Sequence, residues 1–214
     1  MDMEKFDNNK NGDIVLKLAD AIIANTGLLS EIDGAVADGD HGINMNKGFS
    51  ICKERLQGTA FSFSDGLLTL GTILLTEIGG SMGPLYGSLF RGMAKPAKGM
   101  EFIDIKLFDA MLSVALEKVE SIGNAHVGDK TMMDTLVPAV SAFHEATEQG
   151  LSFSVALGRM SSAAKNGMDS TKDMVAKIGR AARLGERSRG VLDAGAVSCW
   201  IILSTFSEEI AKRL

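Results

Sequence analysis

The sequence predicts an all-α fold, one domain of about eight helices. Apolar residues recur at the spacing of one helical face through most of the chain, and runs that alternate apolar with polar, the mark of a half-buried strand, are almost absent. Three prolines in 214 residues leave long stretches free of helix breakers. Hydrophobic residues make up 45%, enough for a real core, and no repeat, low-complexity tract or composition shift marks a linker.

In chain order, Ile14, Leu18, Ala21 and Ile22 line one face of a helix over 13–25, with Asp13 as a cap and Gly27 as a stop. Residues 28–42 read as a loop dense in Asp and Gly. A second helix is expected over about 44–56 and a turn over 58–63. Ser64 opens a third, carrying Leu67, Leu70, Leu74 and Ile78 and ending at Gly79-Gly80. A short helix follows Pro84 and stops before Pro96. Ile105, Phe108, Leu112, Ala115 and Val119 stripe a long helix over 104–122. After a polar loop, 123–130, a helix over 131–148 is expected to kink at Pro138. Helices over 152–167 and around 174–182 come next, then a charged loop over 184–195. The last helix, 196–214, carries Trp200, Leu203, Phe206 and Ile210. The single domain covers 1–214, with the polar residues 1–11 expected to be flexible.

The net charge is −5, from 22 Lys and Arg against 27 Asp and Glu. That excludes sequence-independent nucleic-acid binding, which needs a basic footprint. An anionic ligand would have to be held locally, by metal, backbone amides or a few basic residues. Cys52 and Cys199 lie far apart and outside any C-x-x-C, which points to a reducing compartment. With no signal pattern and no apolar run near the roughly 18 residues of a membrane span, a cytoplasmic protein without a membrane partner is expected.

The sharpest local signal is D-G-A-V-A-D-G-D-H-G over 33–42. Asp33, Asp38 and Asp40 put three carboxylates within eight residues, a repulsion that a divalent cation removes. Hard oxygen donors suit Mg2+, which shares its remaining positions with water and phosphate. The same residues also read as a solvated acidic turn before a helix. A calcium EF-hand is excluded, because Ile43 stands at its required Gly and Phe49 at its bidentate Glu. No P-loop string occurs, and no G-x-G-x-x-G joins a strand to a helix. G-G-S-M-G-P-L-Y-G over 79–87 is a turn into a helix N-terminus, either a phosphate seat or an ordinary helix connection. His144, beside Glu145, reads as a surface residue and His126 has no role. His41 touches the acidic cluster and reads as a contact to nucleotide, since imidazole is a less natural Mg2+ ligand. No Ser–His–Asp or Cys–His arrangement can be assembled. Of 12 methionines, Met45, Met82 and Met132 border the polar loops and are available to an adenine ring.

Four strings in order resemble the L-type domain of dihydroxyacetone kinases and together span nearly the whole chain. They are D-G-A-V-A-D-G-D-H-G-I-N-M-N-K-G-F at 33–49, G-G-S-M-G-P-L-Y-G at 79–87, G-D-K-T-M-M-D-T-L-V-P-A at 128–139, and G-R-A-A-R-L-G-E-R-S-R-G-V-L-D-A-G-A at 179–196. The resemblance implies an eight-helix antiparallel up-and-down barrel with the nucleotide site at one end. It implies Asp33, Asp38 and Asp40 as ligands of two Mg2+ ions on the phosphates of ADP or ATP. His41, Gly42, Ile43 and Asn44 match its nucleotide-contacting run, and Ser81 and Met82 its phosphate turn. Gly123 and Met132 match positions near the base, while Arg180, Asp193, Ala194 and Gly195 complete the pocket. Two departures are visible: D-A-G replaces D-P-G at 193–195, and Met82 replaces a hydroxyl beside Ser81.

The resemblance further implies a phosphoryl-transfer subunit that passes phosphate to a triose or short ketose. That substrate would be held covalently by a histidine of a separate K-type subunit, and no catalytic residue is assigned in this chain. A separate short L subunit is the form the family pairs with a phosphoenolpyruvate-dependent phosphotransferase relay, so ADP recharged by a relay phosphoprotein is the expected donor. An ATP-dependent kinase subunit for another short polyol or ketose, and a non-catalytic nucleotide-binding regulatory module, are the alternatives. A homodimer is compatible with all of these.

Overall fold

In the computed structural model, which describes residues 4–214, the apolar stripes become nine α-helices. These are α1 Asp13–Ala24, α2 Thr26–Gly34, α3 His41–Leu56, α4 Phe63–Glu77, α5 Met82–Ala97, α6 Ile105–Glu120, α7 Met133–Glu148, α8 Phe153–Ser170 and α9 Ala194–Ala211. Two 3-10 segments, Thr171–Asp173 and Ala181–Ser188, lie between α8 and α9. Four helices start on a side-chain cap: Ser62, Asp104, Ser152 and Asp193 each accept a bond from the backbone N–H three residues on.

Short connections make sequential helices neighbours in space. Packing runs from α1 to α3, α4, α5, α6, α7, α8 and α9, and α9 returns to α1. The short α2 lies against α3 and α9. Aromatic rings fill one end of the interior. Phe63, Phe108 and Phe153, from the first turns of α4, α6 and α8, meet Phe6, Phe143 and Phe206 with centroids 5.3 to 6.4 Å apart. Edge-on contacts of this kind add to the area the rings bury. The starts of α3, α5, α7 and α9 therefore fall at the opposite end.

The structure corrects the sequence reading at four places. Residues 28–42 are not all loop, because α2 occupies most of them and buries Leu29. No α-helix forms around 174–182, where Gly179 takes a φ of +76° and Gly185, at +55°, interrupts the 3-10 segment that starts at Ala181. A small antiparallel ribbon exists: β1, Lys5–Asp7, pairs with β2, Phe102–Asp104. Three-residue strands are too short for alternation to register. Within the stretch 1–11 that was expected to be flexible, Phe6 and Asn8 are buried. The Asn8 amide donates to Ser64 Oγ and to the carbonyls of Ala97 and Met100; residues 1–3 lie outside the described part. Pro138 sits inside α7, which runs through it as one element.

Candidate functional site

Four helices begin at one cavity of about 840 Å³: His41 of α3, Met82 of α5, Met133 of α7 and Ala194 of α9 all line it. Each N-terminus carries unpaired N–H groups and roughly half a positive charge. α3, α5 and α7 have no side chain at the N-cap position itself; the first amide of α3 donates to Asp33 and that of α7 to Thr131 Oγ1, which leaves the start of α5 open to a ligand. The turn into α5 depends on two glycines. Gly80 holds a φ of +70°, and a Cβ on Gly83 would stand 2.1 Å from the Ile78 carbonyl.

Opposing this positive end are the carboxylates of Asp33, at the close of α2, and of Asp38 and Asp40, in the turn before α3. Oxygens of the three lie within 4.8 Å of one another. The His41 amide donates to Asp33 at 3.4 Å. Arg180 crosses from the α8–α9 connection, with Nη1 against Asp38 and 3.5 Å from Asp40. Three hard oxygen donors converging beside free amides fit Mg2+, which takes a few carboxylates and completes its shell with water and phosphate oxygens.

Behind the carboxylates lies a chain of polar groups that joins three helices. His41 Nε2 is 2.9 Å from Ser198 Oγ, which is 2.6 Å from the Tyr86 hydroxyl. Tyr86 donates to the Gly195 carbonyl at 3.0 Å. Burial lowers the His41 pKa to about 4, against the upward pull of Asp33. The ring is therefore neutral at pH 7 and offers hydrogen bonds, not charge. Asp193 caps α9 through the Ala196 amide at 2.7 Å. Burial raises its pKa to about 7, and Asp134 adds to the rise against the Ala196 hydrogen bond. Lys130 is 2% exposed and has a φ of +62°. Its Nζ donates to the carbonyls of Met174, Ser188 and Val191 at 3.2, 2.7 and 2.5 Å. Burial lowers its pKa. Leu85, Ile122 and Ile178 form an apolar wall with Met82 and Met132.

All the site residues that the resemblance implies line this cavity except Gly42 and Ile43. A Cβ on Gly42 would stand 2.2 Å from the Thr26 carbonyl, so this residue seats α3 on α2. Ile43 is 62% exposed and lies outside the cavity. Met45, fully buried, does not reach it either. His144 is a surface residue, paired with Asp109 at 2.9 Å. Sequence reasoning missed Lys130, Asp134, Tyr86 and Ser198. The first two stand inside the string at 128–139, which was the available signal, and nothing local distinguishes Ser198.

Fold and site together define a predominantly helical protein that gathers three carboxylates and four helix N-termini at one cavity. The chain belongs to the DAK2 domain family, which it matches over residues 35–208. It is 39% identical over 176 residues to the PEP-dependent dihydroxyacetone kinase, ADP-binding subunit DhaL, of Escherichia coli K12, covering 82% of this chain and 84% of that one. The PTS-dependent counterpart of Lactococcus lactis is 34% identical over 200 residues, covering 91% and 94%. The fold is also that of part of the dihydroxyacetone kinase from C. freundii, solved in complex with AMP-PNP and Mg2+ (TM-score 0.68, 20% identity, 92% of this chain and 33% of that chain).

Proposed function

We propose that this chain is the ADP- or ATP-binding, phosphoryl-transferring subunit of a dihydroxyacetone-type kinase. The observation that carries the proposal is the meeting of Asp33, Asp38 and Asp40 with four helix N-termini at one cavity. Phosphoryl transfer asks little covalent chemistry of the protein and depends on positioning and charge neutralisation. Mg2+, two ions in this reading, would be held by the three aspartates and would neutralise phosphate oxygens as a Lewis acid. The free amides at the start of α5 and the Arg180 guanidinium would offset the remaining phosphate charge. Met82, Leu85, Ile122 and Met132 would shield the base from water. Neutral His41 would hold α3 in register, with its ring on Ser198 and not on the ligand. The circuit of packed helices supports an eight-helix barrel, and residues 1–214 constitute one nucleotide-binding domain of this type.

The nucleophile is a hydroxyl of a triose or short ketose on a separate K-type subunit, so this chain supplies no general base. Relatives named PEP- and PTS-dependent favour ADP that stays bound and is recharged by a phosphoprotein of that relay, in the cytoplasm. Calorimetric titration with ADP, with and without Mg2+, tests the site. The parent is expected to bind only with Mg2+, and Asp38→Ala and Asp40→Ala to weaken binding at least about tenfold, the scale of lost metal support. Parental affinity in both variants overturns the assignment. Adding a matching K subunit is expected to bring phosphorylation of dihydroxyacetone; full activity from this chain alone overturns the division of labour.

A further inference from the structure

We propose that Lys130 is a positioning residue: its buried ammonium ties down the 174–191 segment, and so holds Arg180 in register with Asp38 and Asp40. The segment is otherwise tied by polar bonds near its surface: the Lys177 amide donates to the Asp129 carbonyl at 3.2 Å, its ammonium pairs with Asp129 at 3.3 Å, and the Gly190 amide donates to the Lys172 carbonyl at 2.8 Å. Among residues 174–192 only Ala176 and Ser188 are buried, so apolar burial does little to fix its path. Lys130 uses three donors at three separated points, the carbonyls of Met174, Ser188 and Val191. Ser188 reinforces the closure by accepting from the Ala176 amide at 2.9 Å. Arg180 stands between these tethers. Its side chain is 54% exposed and touches only the two aspartates, so its placement follows from the backbone beneath it.

Two unfavourable features coincide at this lysine. A left-handed backbone is disfavoured for any residue with a Cβ. Among the described residues, no carboxylate lies within ion-pair distance of Nζ; the carbonyl dipoles hold the buried charge, with Asp193 and Asp173 favouring it from further off. An apolar side chain would avoid that desolvation if packing were all the position required. Such costs persist where a function over-determines the conformation.

The proposal rests on the functional reading above only in taking Mg-ADP as a probe. Lys130→Met keeps the length and removes the three donors. Limited trypsin digestion reads the segment directly, since it carries Lys177, Arg180, Arg183, Arg187 and Arg189. Cleavage within 177–189 is expected to quicken at least about tenfold, the factor set by losing one charge-assisted hydrogen bond, in a protein that keeps its helical spectrum. Calorimetry is expected to show Mg-ADP affinity reduced about tenfold, with an effect below about twofold when Arg180→Ala is already present, because both changes remove one interaction. A merely structural lysine would give effects that add. Should Lys130→Met fail to fold, Lys130→Arg carries the same tests, since a planar fork cannot send three donors from one nitrogen to converging carbonyls. Parental cleavage and affinity in a folded variant overturn the proposal, as does additivity with Arg180→Ala or collapse of both variants. A parent that binds no Mg-ADP overturns the functional reading instead, and the cleavage rates still decide the role of Lys130.

Discussion

Replacing Asp193 by Asn is expected to stabilise the metal-free protein, and to do so more as pH rises. Burial pushes the Asp193 carboxyl up to about 7, from the 3.8 ordinary for an aspartate. A carboxyl with a raised folded pKa binds more protons folded than unfolded between about 4 and 7, so stability falls as pH climbs through that window. Three units correspond to about 4 kcal/mol at 1.36 kcal/mol per unit, and partial solvent access reduces this to about 2–3 kcal/mol. Asn cannot ionise, yet its side-chain oxygen can still cap α9 by accepting from the Ala196 amide. The variant should therefore match the parent only below about pH 4, already lead it at pH 5, and exceed it by about 2–3 kcal/mol at pH 8. His41 acts in the opposite sense. Its folded pKa of about 4 lies below the ordinary 6.5, so its contribution is lost as pH falls through that interval. Both proteins contain His41, so the difference between them isolates Asp193. Urea denaturation in EDTA at pH 5, 6, 7 and 8 gives the two curves. A stability difference that does not change with pH, or a variant less stable throughout, refutes the reasoning.

Ser198→Ala removes the hydroxyl between His41 and Tyr86. Tyr86 keeps the Gly195 carbonyl, but buried His41 Nε2 loses its partner, and a cost of about 1–3 kcal/mol is expected as a lower urea midpoint. Gly42→Ala drives a Cβ into the Thr26 carbonyl and Ser30, so a loss of at least about 2 kcal/mol is expected. Gly158→Ala is its control. Nothing lies within 4 Å of the added carbon inside α8, and a gain of about 0.5–1 kcal/mol should appear in the same titration.

What could be read in the sequence was whatever sits within a few residues. The helices over 63–77 and 105–120 were legible because each carries one apolar stripe and a polar cap. The acidic cluster was legible because its three members fall within eight residues of sequence. Helix α2 was hidden because it buries only Leu29 and ends in the Asp–Gly string that also signals a loop. The stretch near 174–182 misled in the other direction, since it is too short to show a helical period and Gly179, at a φ of +76°, breaks it. Polar bonds between distant elements leave no trace in local composition. His41 and Ser198 are 157 positions apart, and Lys130 and Val191 are 61.

The uncertain reading of the acidic string, metal site or solvated turn, turns on where its charges are placed. A solvated turn would disperse its carboxylates into water and cost the fold nothing. Here oxygens of Asp33, Asp38 and Asp40 converge within 4.8 Å with only Arg180 against two of them, and a raised Asp193, a neutral buried His41 and a buried Lys130 without an ion pair gather at the same cavity. Each is unfavourable for the free protein, and each lies where four helices present their positive ends. The opposite end of the molecule shows what this chain does when stability alone is served: six phenylalanines close on one another with no charge among them. Groups that strain the fold at one end only are the expected trace of a binding function, because a ligand that relieves them gains in affinity what the empty protein loses in stability. A divalent cation answers the carboxylates, and an anion of the phosphate kind answers the helix ends and Arg180. Neither alone balances the cavity, which is the electrostatic reason to expect metal and nucleotide to bind together.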